Sequence, residues 1–359
     1  MNSTTSHIIS YLRFPLCVAI IMIHSDIAVY NTTAEDSPIY HFFSNVFVGS
    51  ICSSAVALFF FISGYLFFHE GTFSFNIYRK KITHRIHSIL IPYILWNAIC
   101  FVFLFVMQHL FNNFNLLLHK QIVDFKLQDF LYIFWNIQKV SGLSSDQAGP
   151  LVGQFWFLQC LLVFSLLSPI IYIGTKKTKL FFLIVIVGLN FADVIPNIPG
   201  FDTMSLFYYT LGAYFSINKT TWYSDKAYIG ILLIIGYSVV YTCRTYFQLN
   251  NYKIIDETLL IFGILTITHI LTKNKKPSKQ TLFLCNCSFF TFAIHRYFTS
   301  IGLNITKGWH FHNGGTAIIC FALITTISTL CCILSYKLMN KYLPKTTRIL
   351  NGNRIKWKL

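Results

Sequence analysis

Long apolar runs recur along the whole chain and are separated by shorter polar stretches. A helix needs about 20 mostly apolar residues to span the hydrocarbon core of a bilayer. By that measure ten segments qualify, namely 8–28, 47–68, 88–111, 152–173, 180–195, 203–217, 227–247, 255–272, 282–302 and 316–336. The fifth and sixth are short and are joined across Pro196 and Pro199. The pattern predicts an all-α, polytopic membrane protein with about ten transmembrane helices.

The composition supports a chain that faces lipid over most of its surface. Hydrophobic residues make up 55% of the sequence and charged residues 11%, whereas a soluble domain carries about 25% charged residues. Most of the ten cysteines lie inside apolar runs, and no C-x-x-C pair is repeated. We therefore expect neither a disulfide framework nor a metal site. The first apolar stretch carries Arg13 and lacks a basic segment before it, so it is interpreted as a spanning helix rather than a secretory signal.

The net charge of +16 is explained by where the basic residues fall. Membrane proteins concentrate Lys and Arg in their cytoplasmic segments. When the N-terminus is placed in the cytoplasm, most of the 28 Lys and Arg residues lie on the inner side, including a basic tail at about 337–359. We therefore expect both termini to be cytoplasmic and the excess charge to need no nucleic-acid partner. Residues 1–359 are interpreted as one transmembrane domain surrounded by membrane lipids.

Two polar features fall on the predicted outer side. The longest outer segment, roughly 112–151, mixes aromatic with polar residues and favours a helix lying in the membrane interface, with an ordinary loop as the alternative. Asp256 and Glu257 stand at the start of the eighth predicted helix. They could bind a substrate, but we expect them to face water.

The first predicted helix holds two costly ionisable residues, Arg13 and His24. They are 11 positions apart, which is almost three whole turns, so both side chains lie on one face about 16 Å apart along the axis. Arg13 could bind phosphates with two parallel hydrogen bonds, while a long, thin donor reaches His24. A neutral histidine could serve as a general base or as a nucleophile. The alternative is that Arg13 extends to the interface and His24 bonds a neighbouring helix.

Five motifs occur in order along the chain. They are R-x10-H at Arg13 and His24, FFFISGYLFF at 59–68, RKKITHRIHSILIPYILWN at 79–97, QFWFLQCLLVFSLLSP at 154–169 and FFTFAIHRYF at 289–298. Together they resemble the acyltransferase-3 family of membrane O-acyltransferases. The chain departs from the family in the residues around Arg13, and Arg85 is the best match to the second basic site of the family.

This resemblance implies an activity and a set of site residues. A bacterial inner-membrane enzyme would transfer an acyl group, in most cases acetyl, from acetyl-CoA to a hydroxyl of a cell-surface or lipid-linked glycan such as O-antigen, capsule or exopolysaccharide. His24 would be catalytic, and no metal is expected. Arg13, Arg85 and Ser63 would bind the donor. No feature of the sequence sets an oligomeric state.

Trp156 and His295 are candidates for the acceptor side. Trp156 could stack on a sugar or belong to the interfacial aromatic belt. His295 is followed by Arg296, which predicts a polar cavity shared with His24, with a purely structural pair as the alternative. Ser63 could bond a helix instead of the donor, and Gly64 is expected to serve close helix packing.

Two other functions predict different residues. A glycolipid transporter or flippase would also need many helices, but it favours discontinuous helices in matching halves, which the sequence does not show. An unrelated group of membrane-bound O-acyltransferases uses a histidine late in the chain, so that His295 rather than His24 would be essential.

Overall fold

A computed structural model gives the structure of residues 3–69, 72–110, 121–141, 149–192, 194–195, 198–249 and 252–353. The α-helices are α1 Ser3–Ile23, α2 Thr32–Glu35, α3 Pro38–Phe43, α4 Ser54–Phe67, α5 Phe75–Arg85, α6 Ile91–Leu110, α7 Leu127–Trp135, α8 Gln138–Ser141, α9 Trp156–Leu166, α10 Ser168–Thr178, α11 Leu180–Ala192, α12 Thr203–Ile217, α13 Ala227–Tyr246, α14 Lys253–Thr272, α15 Lys279–Thr306, α16 Gly314–Tyr342 and α17 Pro344–Leu350. Short 3-10 helices cover Ile27–Val29, Ile122–Asp124 and Gly153–Phe155, and π-helical turns cover Ser44–Cys52 and Ile86–Leu90. Outside these helices, an isolated antiparallel bridge joins Ile198 to Phe201. The all-α prediction is confirmed for the described residues.

Backbone hydrogen bonding explains why apolar runs of this kind form helices. Lipid offers no partner for a free N–H or C=O group, so a spanning segment must satisfy its own backbone. Side chains of Asp202, Ser278 and Asn313 accept hydrogen bonds from the first turns of α12, α15 and α16. These caps set where the three helices begin.

Six described segments are long and apolar enough to cross a membrane: Thr4–Val29, Pro38–Phe67, Phe75–Leu110, Ala227–Tyr246, Lys253–Thr272 and Gly314–Tyr342. The segments Gly153–Leu166 and Ser168–Thr178 pass the same test only together, and they are bent by 64°. They would make a seventh span if counted as one. The chain is thus a multi-pass membrane protein, whereas ten spans and the orientation of the termini stay predictions.

The structure revises several predicted bounds. The first helix begins at Ser3 and ends at Ile23, instead of covering 8–28. The basic segment before the third span is not a loop, because α5 continues through a π-helical turn into α6. Helices α11 and α12, with 13 and 15 residues, are shorter than a full span. Helix α7 lies within the predicted outer segment, of which 112–120 and 142–148 are outside the described residues, and its place at the membrane interface stays a prediction.

The chain forms two compact units. The first comprises Met1–Ile62 and Lys219–Thr347, and the second comprises Ser63–Asn218 and Arg348–Arg354. In the first unit α1 packs against α14, α15 and α16, and α13 packs against α14. In the second unit α12 packs against α10 and α11.

Helices α1 and α15 of the first unit run in the same direction. Their contacts advance in parallel along the two sequences: Tyr11 Oη donates to Lys276 O at 3.0 Å, and Cys17 Sγ to Ser288 O at 3.3 Å. Beyond the end of α1, Asn31 Nδ2 donates to Thr306 O at 3.0 Å. Helix α1 and the residues that follow it therefore lie beside α15 along most of its length.

The end of the chain folds back onto the second unit. Trp96 Nε1 donates to Leu350 O at 3.1 Å. Gly352 has a positive φ of 77°, and a Cβ at this position would lie 2.4 Å from Ser88 O. The predicted basic tail is therefore structured up to residue 353, and residues 354–359 lie outside the described part.

Candidate active site

The observed bounds of α1 change where Arg13 and His24 lie relative to the helix. Because α1 covers Ser3–Ile23, Arg13 lies at its middle and His24 follows its last residue. The Arg13 guanidinium is partly buried and its Nη1 lies 3.8 Å from Cys285 Sγ on α15. His24 is also partly buried, and its backbone N–H still donates to Ile20 O at 3.3 Å.

The ring of His24 lies against the ring of His295 on α15. Their centroids are 5.2 Å apart and their planes are inclined by 33°. His295 is fully buried. The structure thus brings together two residues that are 271 positions apart in the sequence, as the predicted shared cavity requires.

Hydrogen bonding fixes the orientation of His295. Its Nδ1 lies 2.7 Å from Phe292 O, one turn earlier on the same helix. A carbonyl oxygen only accepts, so Nδ1 carries the proton and Nε2 of the neutral ring is an acceptor. Nε2 is buried and has no hydrogen-bond partner among the residues that the structure describes.

Arg296 adds a positive charge beside the two histidines. Its side chain is partly buried and interacts electrostatically with both His24 and His295. Tyr30, just beyond the 3-10 turn that follows His24, lies within electrostatic range of Arg296. No carboxylate in the described part of the chain forms an ion pair with Arg296. In the sequence alone this residue stands out only as the neighbour of His295.

Asp26 fixes the turn that carries His24. Its carboxylate accepts hydrogen bonds from Ala28 N at 3.1 Å, from Tyr40 Oη at 2.9 Å and from the Ser44 hydroxyl. Tyr40 Oη also accepts from Ile27 N at 3.0 Å. These bonds tie the end of the first span to α3 and to the π-helical turn that follows it. Asp26 therefore acts on the backbone around His24.

Arg85 and Ser63 are neighbours in the second unit. Arg85 Nη2 donates to the backbone oxygen of Ser63 at 3.4 Å, and the guanidinium carbon lies 5.3 Å from the centre of the Phe67 ring. Lys81 Nζ donates to Phe67 O. Two cations thus meet the carbonyl end of α4, where the helix dipole is negative. No described carboxylate pairs with Arg85.

Gly64 allows α4 to approach α12. A Cβ at Gly64 would lie 1.9 Å from the carbonyl oxygen of Tyr209, inside any permitted contact. The expectation that Gly64 serves packing is confirmed by this distance. Trp156 is the first residue of α9 in the same unit and is partly buried.

The expectation for Asp256 and Glu257 is wrong. Both are buried, with 1% and 4% of their surface exposed. Asp256 accepts two hydrogen bonds from Arg244, at 3.0 Å from Nε and 3.2 Å from Nη2. Burial of the carboxylate is possible because the preceding helix ends with its counter-ion.

The family of the chain follows from its similarity to known proteins. Residues 6–337, nearly the whole chain, match the family model described as an acyltransferase domain, of the acyltransferase-3 type. The chain belongs to the acyltransferase-3 family. No curated protein and no solved structure matches it. Family membership supports acyl transfer as the general activity and confirms the resemblance found in the motifs.

Proposed function

We propose that this acyltransferase moves an acyl group, in the first instance acetyl, from acyl-CoA to a hydroxyl of a cell-surface or lipid-linked glycan such as O-antigen, capsule or exopolysaccharide. The observation that carries the proposal is the ring contact between His24 and the buried His295 beside Arg296, in a chain of an acyltransferase family. The enzyme would work in the bacterial cytoplasmic membrane. His24 would carry the chemistry of transfer.

The donor side of the proposal concerns Arg13, Arg85 and Ser63. Acyl-CoA carries several phosphates at one end and its thioester at the other. In the described part of the chain Arg85 meets the Ser63 carbonyl oxygen, the Phe67 ring and the Tyr209 side chain but no carboxylate, so its charge is available to a phosphate. Arg13 faces the interior of the first unit from the middle of α1. We propose that these two arginines bind the donor phosphates and that Ser63 contributes a hydroxyl.

The acceptor side concerns Trp156 and His295. A sugar presents both an apolar ring face and hydroxyl groups. Trp156 could stack on that face, and the buried acceptor Nε2 of His295 could receive a hydroxyl proton in a hydrogen bond. A glycolipid transporter is the competing function; it would not label a glycan, so the experiment below separates the two.

The test is acyl transfer from radiolabelled acetyl-CoA to envelope glycans in membranes that carry the wild type, His24→Ala or Arg13→Ala. Wild type should label a glycan. His24→Ala should lose about 10²–10⁴-fold of that activity, as expected for removal of a general base. Arg13→Ala should raise the KM for the donor, and Arg13→Lys should restore part of the binding because the charge remains.

Lys177→Ala serves as the matched control, because Lys177 is an exposed cation near the end of α10 and lies outside the proposed site. It should label as wild type does. If His24→Ala inserts at normal levels and labels as well as wild type, the proposed mechanism is wrong. If wild type moves glycolipid across the membrane without labelling it, the chain is a transporter.

A further inference from the structure

His295 has the properties of a base that is held ready for a proton. Its ring is fully buried and touches that of His24. Its Nδ1–H bonds to a carbonyl of its own helix, and no described residue bonds to its Nε2 lone pair. Buried polar atoms are nearly always hydrogen-bonded, so such an atom calls for an explanation.

Resting on the proposed function, we propose that the two histidines divide the reaction: His24 carries the acyl group, and His295 Nε2 takes the proton of the acceptor hydroxyl. A nitrogen that is bonded to an acyl group has no lone pair left for a proton. A second base is then needed when the hydroxyl attacks. His295 is the imidazole whose ring contacts His24.

The steps balance in atoms and charge. A ring nitrogen of His24 attacks the thioester carbonyl carbon, the C–S bond breaks, and the sulfur leaves as thiolate. The acceptor oxygen then attacks the same carbon while its proton moves to His295 Nε2, and the C–N bond to His24 breaks. The proton passes from His295 to the thiolate. The products are an ester and a free thiol, with both histidines neutral again.

Arg296 fits this division because negative charge develops on the carbonyl oxygen in both attacks. Within the described part of the chain no carboxylate pairs with this guanidinium, which lies within electrostatic range of both rings and would stabilise that oxygen. A counter-ion would have cancelled the effect.

A purely structural role explains His295 less well. Its Nδ1–H bonds within α15, and among the described residues no hydrogen bond joins its ring to a second helix. His269 on α14 provides the contrast. It also has a buried ring nitrogen without a partner, but its Nε2 lies 2.9 Å from the Asp225 carboxylate and its ring stacks on Tyr223 at 4.1 Å. That histidine ties α14 to the loop before α13.

The experiment separates the two half-reactions. Exchange of labelled CoA into acetyl-CoA without acceptor reports acyl transfer to His24, and labelling of the glycan reports the complete reaction. His295→Asn keeps an amide N–H for Phe292 O but supplies no basic nitrogen. We expect it to retain exchange, because a thiol with a pKa of about 8.5 ionises without a strong base, and to lose about 10²–10⁴-fold in glycan labelling. His269→Asn should keep both activities.

Each result decides between the alternatives. Loss of exchange and labelling in the same proportion in His295→Asn would assign His295 a structural role and overturn the proposal. Wild-type labelling without exchange would show that His24 carries no acyl group, which also overturns it. Undiminished glycan labelling by His295→Asn would also overturn the division of roles between the two histidines, but it would leave the proposed function intact. Failure of the wild type to label any glycan would instead refute the proposed function.

Discussion

At the scale of single residues, Gly64 is the described glycine at which an added side chain would have the least room. A methyl group there would lie 1.9 Å from Tyr209 O, which is backbone and cannot rotate away. We expect Gly64→Ala to lower the stability by roughly 1–3 kcal/mol, the cost of overpacking, seen as a lower Tm in detergent. Gly188→Ala is the matched control on α11, where a Cβ meets nothing within 4 Å. An equal loss in both variants would contradict the close-packing explanation.

Asp26 offers a second prediction at this scale. Asp26→Asn keeps the shape of the side chain but weakens its bonds to Ala28 N, Tyr40 Oη and the Ser44 hydroxyl. The turn that positions His24 should loosen, so kcat should fall while the KM for acyl-CoA stays unchanged. Tyr40→Phe removes one of these bonds and should have a smaller effect in the same direction. A raised donor KM at normal kcat would show that Asp26 contacts the donor instead.

The residues of the site differ in how far the sequence reveals them. The spacing of Arg13 and His24 follows from helix geometry, and the cost of a charged pair in a membrane helix drew attention to His295. The free Nε2 of His295 could not be foreseen, because it depends on a rotamer that bonds Phe292 O. The partners of Asp26 come from α3 and the turn after it, which the pattern of apolar residues leaves unplaced.

At the scale of elements, the Arg244–Asp256 pair joins the end of α13 to the start of α14. Asp256 is 1% exposed. Removal of one partner leaves a buried charge, which typically costs about 3–5 kcal/mol. We therefore expect Asp256→Asn and Arg244→Gln each to lower the Tm strongly, and the double variant to lose less than the sum. Additive losses in the double-mutant cycle would refute the coupling.

The other ends of α13 and α14 are joined by a weaker contact. Asp225, before α13, receives hydrogen bonds from Lys273 Nζ at 2.6 Å and His269 Nε2 at 2.9 Å. The bonds to His269 and Lys273 lower the pKa of Asp225 to about 2. The pKa is lower in the folded state, so its stabilising effect is present above about pH 4, the unfolded value, and is lost as the pH falls toward 2.

The lowered pKa of Asp225 gives a test of this contact. Asp225→Asn should have a slightly lower Tm than wild type at neutral pH, and the difference should shrink as the buffer is made more acidic than about pH 4. The effect should be smaller than that of Asp256→Asn, because the Asp225 side chain is 68% exposed and its interactions are screened by water. A difference that is constant from pH 7 to about pH 3 would exclude an electrostatic origin.

Element bounds show where sequence patterns lose information. Three of the six candidate spans contain a predicted segment and extend it, namely Thr4–Val29, Lys253–Thr272 and Gly314–Tyr342. The other three stop one residue short of the predicted ends at 68, 111 and 247, although Pro38–Phe67 and Phe75–Leu110 begin well before the predicted starts. The added turns are mostly polar or basic. In α5, for example, Arg79 and Lys80 belong to a helix that begins before the apolar run from which hydropathy predicts the span. The water-facing expectation for Asp256 failed for a related reason. The sequence contains its partner Arg244 on the preceding helix, but it does not reveal that α13 packs against α14 so that the two residues pair.

At the scale of the whole molecule, the number of membrane crossings turns on α15. Its 28 residues are enough to cross a bilayer, yet its polar side chains keep it out of the six apolar spans. His295, which contacts His24, and Cys285, which contacts Arg13, lie on the face of α15 that meets α1. Because α15 runs beside α1 in the same direction, as far as the bond from Asn31 to Thr306, it should cross wherever α1 crosses.

The prediction that α15 crosses the membrane can be tested, because the number of crossings must agree with the sides on which the two termini lie. Two cytoplasmic termini require an even number of crossings, and six spans with the bent pair make seven, so α15 would supply the eighth. In a Cys243→Ser background, which removes the exposed cysteine, Lys275→Cys and Gly308→Cys place thiols before and after α15. An impermeant thiol reagent should label the Gly308→Cys variant in intact cells and the Lys275→Cys variant only after permeabilisation. Labelling of both from one side would show that α15 does not cross, and its polar face would then have to be explained without a site inside the membrane.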